Sequence, residues 1–136
     1  MTNFVAFATE QWLLVSLLLA LVILYFWNEK RRSGNSVSTH EATRLLNNDQ
    51  AVLVDLRDSG DFKAGHISEA INIPYAKLKD RLAELAKHQS KTVILTDKMG
   101  QHTGAAGREL VKLGYQVARL EGGMAEWQAQ KLPVVK

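Results

Sequence analysis

An α/β domain built around a mostly parallel sheet and preceded by one transmembrane helix is what this 136-residue sequence predicts. Three observations carry that reading. An uncharged apolar run, WLLVSLLLALVILYFW, extends from Trp12 to Trp27. Two short apolar runs further on, Ala51 to Leu56 and Lys91 to Thr96, have the length and β-branched content of buried parallel strands. Segments of helical period separate and follow them, and strands alternating with helices give a parallel sheet with helices against it.

The first run spans about 24 Å as a helix, and about 36 Å with the upstream residues Phe4 to Ala8 included, against a hydrocarbon layer of roughly 30 Å. A cleaved signal peptide wants a positive start and a shorter apolar stretch. Here Glu10 precedes the run, and Lys30, Arg31 and Arg32 follow it. That order predicts a retained anchor in a bacterial inner membrane, single-pass, with the N-terminus outside and the C-terminal domain in the cytoplasm. Trp12 at one end and Tyr25, Phe26 and Trp27 at the other suit the two interfaces. Residues 1–32 are thus assigned to the anchor with its basic flank, 33–36 to a flexible linker, and 37–136 to the domain.

The formal charge is +3, but removing the anchor's charged residues leaves 14 basic against 12 acidic side chains. Without a basic stripe interleaved with aromatics, nucleic-acid binding has no support. The chain has no cysteine, which removes disulfides, thiolate metal sites and thiol nucleophiles. His40, His66, His88 and His102 lack the paired spacing of a zinc site, so neither metal nor other cofactor is expected.

After the linker, Ser38 with Glu41 three residues on forms a capping box, and Ala42, Leu45 and Leu46 give the helix an apolar stripe that ends at Asn47, Asn48 and Asp49. Ala51 to Leu56 is the first predicted strand and Ile71 to Ile73 a short second one. Lys77 to His88, with apolar residues at Leu78, Leu82, Leu85 and Ala86, reads as a helix. The strand Lys91 to Thr96 leads into a second helix over Thr103 to Leu113. Gly114 stands where a left-handed C-terminal cap is needed, before a strand over Tyr115 to Leu120. Met124 to Gln130 forms a closing helix after Gly122 and Gly123.

Two stretches go further. Val54-Asp55-Leu56-Arg57, running on through Gly65-His66-Ile67 to Ile71-Asn72-Ile73-Pro74, and Leu120-Glu121-Gly122-Gly123-Met124-Ala125-Glu126-Trp127, running on to Leu132-Pro133-Val134, resemble the signatures of the rhodanese domain. The match covers roughly residues 37 to 134. It implies a rhodanese-like three-layer fold. In that family the loop after the strand matching Lys91 to Thr96 carries a cysteine, two variable residues, a glycine, one variable residue and often an arginine. Gly100 matches the glycine, and Thr103 and Gly104 match the small residues that open the helix. Asp97 then falls on the cysteine and His102 on the arginine. The resemblance further implies that Asp55 with Arg57 is a structural pair, that His66 bonds within its own loop, and that Met124 and Trp127 pack the last helix on the sheet. Gly122 and Gly123 read as turn geometry rather than a phosphate cradle.

A strand, a tight loop with a glycine and a helix N-terminus make a cup of backbone N–H groups that favours an anion. In the active family such a cup lowers a thiol's pKa, so that a thiolate can carry sulfur as a persulfide. A carboxylate cannot hold a persulfide, and Asp97 supplies a negative charge that occupies the cup from within. Aspartyl phosphorylation needs Mg²⁺ held by neighbouring carboxylates, and only Lys98 and His102 stand near.

The sequence therefore leads to a membrane-anchored, cytoplasm-facing domain without thiol sulfurtransferase or phosphatase activity. Its expected role is interaction or regulation, with a binding loop of Asp97, Lys98, Met99, Gly100, Gln101, His102 and Thr103 held near the membrane and no catalytic residue. The partners expected are the lipid bilayer and a membrane-protein complex of the transport or insertion kind. The competing reading is a small-anion sensor or a non-thiol enzyme using the Asp97–His102 loop. Ser16 and Ala20 form a small-xxx-small pair in the anchor, for which simple tethering is the preferred account.

Overall fold

A computed structural model describes residues 2–136, with the side chains of Thr2, Lys30, Arg32 and Ser33 outside the described set. The basic flank singled out above therefore falls partly outside the described residues. The chain divides after Arg31 into two compact units.

The first unit is helical: α1 covers Thr2–Glu10, and α2 begins at Trp12 and runs to Ser33. Within α2, Trp12–Glu29 has a mean hydropathy of 1.8 and none of it is buried. It is long and apolar enough to cross a membrane.

The second unit is a three-layer α/β fold. Its elements are β1 (Asn35–Val37), α3 (Thr39–Asn47), β2 (Ala51–Asp55), α4 (Ser59–Ala64), β3 (Ile71–Asn72), β4 (Thr92–Thr96), α5 (Thr103–Lys112), β5 (Gln116–Leu120) and α6 (Gly123–Ala129). All pairings in the five-stranded sheet, of order β1-β5-β4-β2-β3, are parallel. Side chains alternate across it as the pleat requires. Val54, Val93, Leu95 and Val117 pack with Ala106 and Leu110 of α5 and with Leu78 and Leu85. Leu53, Ile94, Ala118 and Leu120 pack on the other face with Ala42 of α3 and Met124 and Trp127 of α6.

Local chemistry accounts for the element ends. Ser38 caps α3, its Oγ accepting the Glu41 N–H at 3.1 Å. The Glu41 carboxylate turns to Arg44 at 2.5 Å instead of back to the cap. Gly114, at φ +92°, ends α5 and frees the chain to enter β5. Trp127 is buried and donates its indole N–H to Pro133 O at 3.0 Å, tying the C-terminal segment to α6.

Three assignments differ from the sequence reading. Asn35 and Ser36 are not linker: with Val37 they form β1, in register with Ala118, Arg119 and Leu120. Only Val37 is apolar and only it is partly buried, so the pattern carried no strand signal. Lys77–His88 is not one α-helix but two 3₁₀ segments, Tyr75–Lys77 and Lys79–His88. Arg81 breaks the second at φ −118°, ψ 18°, while Leu78 and Leu85, on either side of the break, are both buried. Finally α4, which has no buried residue, shows no periodicity to detect.

Candidate functional site in the loop after β4

In a parallel sheet the loops leaving the C-terminal strand ends share one pole, where open α/β folds bind ligands. The segments after β2, β3 and β4 meet there. Leu56 donates its N–H to Thr96 O at 2.8 Å and its carbonyl accepts the Tyr75 N–H at 3.1 Å. Three successive connections are thereby fixed to one another at their bases.

Asp97 is the first residue beyond β4 and is buried. One carboxylate oxygen accepts the Gly100 N–H, and the other accepts the His102 N–H at 2.6 Å. Gly100 has φ +91° and Thr103 Oγ1 donates to its carbonyl at 3.2 Å, so the loop turns tightly before α5 begins. The cup of amides expected from the sequence is present, and the chain's own carboxylate fills it.

From the other side α6 holds the same loop. Its first free amides, Met124 N–H and Ala125 N–H, donate to the carbonyls of Asp97 and Lys98 at 2.8 and 2.9 Å. Gly122 is left-handed at φ +69°, consistent with turn geometry. Gly123 has a second duty, since a Cβ there would lie 2.6 Å from Asp97 O.

The wall opposite is built by a buried ion pair. Arg57 Nη2 meets Asp55 Oδ2 at 2.7 Å, and the two side chains are 8% and 1% exposed. Arg57 also donates to Gly65 O at 2.8 Å, while Asn72 Nδ2 bridges the carbonyls of Asp55 and Arg57 at 3.1 and 2.9 Å. Pairing with further hydrogen bonds is what makes such burial tolerable. His66 accordingly belongs to its own loop: Nδ1 lies 2.8 Å from Phe62 O, its ring stacks on Phe62, and its backbone pairs with Val135.

A pocket of about 260 Å³ opens between these walls, lined by Arg57, Asp58, Asp61, Tyr75, Asp97, Lys98, Gln101 and His102 among others. His102 stacks flat on Tyr75, with ring centroids 4.6 Å apart and planes 9° from parallel. A second pocket of about 320 Å³ shares Arg57, Asp61 and Lys98 and adds Met99, Met124, Ala125 and Val134. Of the seven loop residues named from the sequence, Asp97, Lys98, Met99, Gln101 and His102 line these pockets, whereas Thr103 is buried. Sequence reasoning missed Tyr75 and Asp61; the convergence of strand ends in a parallel sheet was the signal that could have found them. No group of three or more metal-ligating side chains occurs among the described residues.

The loop lies at the C-terminal end of the sheet, whereas the chain enters the sheet beside the middle of β5. Gly34 packs on Val117, near the start of β5, and β1 runs parallel to its neighbour.

A parallel five-stranded sheet between helical layers, with an amide cup at the turn from β4 into α5, defines a rhodanese-type α/β module. The family model for the rhodanese-like domain matches residues 38–130, and the chain belongs to that family. It is 36% identical over 124 residues to the uncharacterized protein YibN of Escherichia coli K12, covering 90% of this chain and 86% of that one. A protein named sulfurtransferase from Allochromatium vinosum is 29% identical over 93 residues, 68% of this chain and 85% of its own. Among solved structures, a rhodanese-related protein from Thermoplasma volcanium superposes with a TM-score of 0.65 at 27% identity, covering 74% of this chain and 97% of that one.

Proposed function

We propose that this chain is a membrane-anchored, cytoplasm-facing member of the rhodanese-like family that has exchanged thiol chemistry for recognition. Its Asp97–Thr103 loop acts as a docking surface for a protein partner at the bacterial inner membrane. The observation that carries this reading is the side chain of Asp97. Its two oxygens take the loop amides that would otherwise serve an incoming anion, and the chain has no cysteine to accept sulfur. Around that closed centre the loop offers exposed Met99, which with Lys98 and Gln101 faces open pockets. A membrane-protein complex of the transport or insertion kind is the natural class of partner for a tethered module.

The deciding experiment compares the full chain with Asp97→Cys in a thiosulfate sulfurtransferase assay. It is coupled to crosslinking in native membranes with and without changes at Lys98 to His102. Activity gained only by Asp97→Cys, with a crosslinked partner lost on changing the loop, is the expected result. Sulfur transfer by the unmodified chain overturns the absence of enzymatic function, and a partner indifferent to the loop overturns the docking role.

A second reading, a small-anion sensor or non-thiol enzyme, is favoured by the pocket beside Asp97, where Arg57, Lys98, Gln101 and His102 supply donors. Stabilisation of the unmodified chain by sulfate, phosphate or thiosulfate would establish it.

A further inference from the structure

The two poles of the sheet carry opposite charge. Ahead of the three five-residue strands β2, β4 and β5 stand Lys87, His88, Lys91 and Lys112, with Asp49 as the acid of the connecting segments. Asp49 is already engaged by Lys91 at 2.7 Å. The acids on the adjoining turns are engaged as well, Glu84 with Arg81 at 2.7 Å and Glu109 with Lys79 at 3.6 Å. Lys87 and Lys112 are exposed; Lys87 shares the Glu84 carboxylate with Arg81, and no ion pair engages Lys112 among the described residues. Beside Lys112, Leu113 leaves 51% of its surface open. After the same three strands come Asp58, Asp61, Asp97, Glu121 and Glu126 against Arg57, Lys63 and Lys98, and Arg57 is itself committed to Asp55.

The chain enters the sheet from the side of the basic pole, Gly34 lying against Val117 and Asn35 pairing with Ala118 at the middle of β5. Seven residues, Asn28 to Gly34, separate Trp27 from β1, a reach of at most about 25 Å. They bring Lys30, Arg31 and Arg32 against the single acid Glu29. A cytoplasmic leaflet carries negative surface potential that decays within about a Debye length, some 8 Å, and attracts basic groups held inside it.

We infer that the pole bearing Lys87, Lys112 and Leu113 is a contact surface for anionic lipid headgroups, which seats the domain on the bilayer with its acidic loop pole facing the aqueous phase. This rests on the membrane-anchored reading above. It extends that reading by stating which face meets lipid and by directing the Asp97 loop to partners, or partner segments, that stand clear of the membrane. The surface recognises phosphate headgroups through lysine charge and admits one leucine at the interface.

The absence of native cysteine makes the test direct. Leu113→Cys and Met99→Cys replace side chains of similar exposure, 51% and 58%, at opposite poles. Each full-length variant is labelled with a fluorophore and reconstituted in phosphatidylcholine vesicles, with or without phosphatidylglycerol, containing nitroxide-headgroup lipid. Quenching at position 113 that exceeds quenching at 99 and grows with phosphatidylglycerol is the expected result. In the Lys87→Gln, Lys112→Gln background the anionic-lipid dependence should fall about fivefold for each lysine removed, and Lys→Arg at both positions should restore it. Equal quenching at the two positions, or greater quenching at 99, overturns the inference while leaving the anchor intact. Chain that fails to float with vesicles after an alkaline wash overturns the anchored reading itself, and this inference with it.

Discussion

A Cβ placed on Gly123 would lie 2.6 Å from the carbonyl oxygen of Asp97 and 3.1 Å from the amide of Gly100. The bare Cα of one loop is therefore what lets the other close. Gly123 also holds φ +60°, a conformation costly to any side chain. Gly123→Ala should destabilise the domain by about 1–3 kcal/mol. It should also loosen the Asp97 turn, seen as faster hydrogen exchange at the Met124 and Ala125 amides. Unchanged exchange there would show that the contact relaxes freely.

Asp97→Ala leaves the amides of Gly100 and His102 without their acceptor. Loss of about 1–3 kcal/mol for buried unsatisfied donors is expected, measured by denaturant unfolding. Sulfate or phosphate should recover part of that loss in the variant and do little to the unmodified chain, because the cup is vacant only in the variant. Equal stabilisation of both proteins would mean that the carboxylate does not occupy the anion position.

The Arg57–Asp55 pair is almost fully buried, so removing one partner strands the other. Asp55→Asn should cost about 3–5 kcal/mol, and the double variant Asp55→Asn, Arg57→Met less than the sum of the single changes. Strict additivity in such a cycle would deny the coupling.

Acid sensitivity should come in part from exposed pairs. Arg44 holds the Glu41 carboxyl below its ordinary value of 4.5, Arg81 does the same for Glu84, and Lys91 holds Asp49 below 3.8. A depressed carboxylate stabilises the fold above its unfolded pKa, and the contribution disappears as pH falls through the folded one. Unfolding midpoints should therefore be flat near neutrality and fall below about pH 4.5. Added salt should blunt the charge-pair share of that fall, because these groups are solvent-exposed.

Gly34 lies at φ +89°, and a Cβ there would stand 2.6 Å from Val117 O. Gly34→Ala should weaken the β1–β5 pairing before the rest of the sheet, with exchange at the Glu121 amide, which donates to Val37 O at 2.9 Å, rising first. Uniform loss of protection would instead place β1 within the cooperative core.

The parallel sheet was legible because β2 and β4 are buried on both faces and spell that out in Val, Ile and Leu, while β5 was placed by the Gly114 cap that precedes it. The Gly114 cap and the Ser38 cap were legible because each depends on one residue type at one position. β1 was not, since its pairing is made by the backbone of Asn35 and Ser36 and leaves no apolar trace. The 3₁₀ geometry of Lys79–His88 was hidden for a different reason: leucines three or four apart suit either helix, and only packing chose between them. At the site, Asp97, Gly100 and His102 lie within one loop and could be read together. The other wall, from Arg57 to Tyr75, is assembled by topology, and the stacking of His102 on Tyr75 joins residues 27 positions apart.

The short pairing of β1 with β5 has a mechanical consequence. Three residues of β1 join the sheet directly behind the helical segment, along a single neighbour. Any tension delivered through the chain at Gly34 is borne first by that pairing, so the strand that joins the domain to the preceding helix is also the fuse that yields before the sheet does.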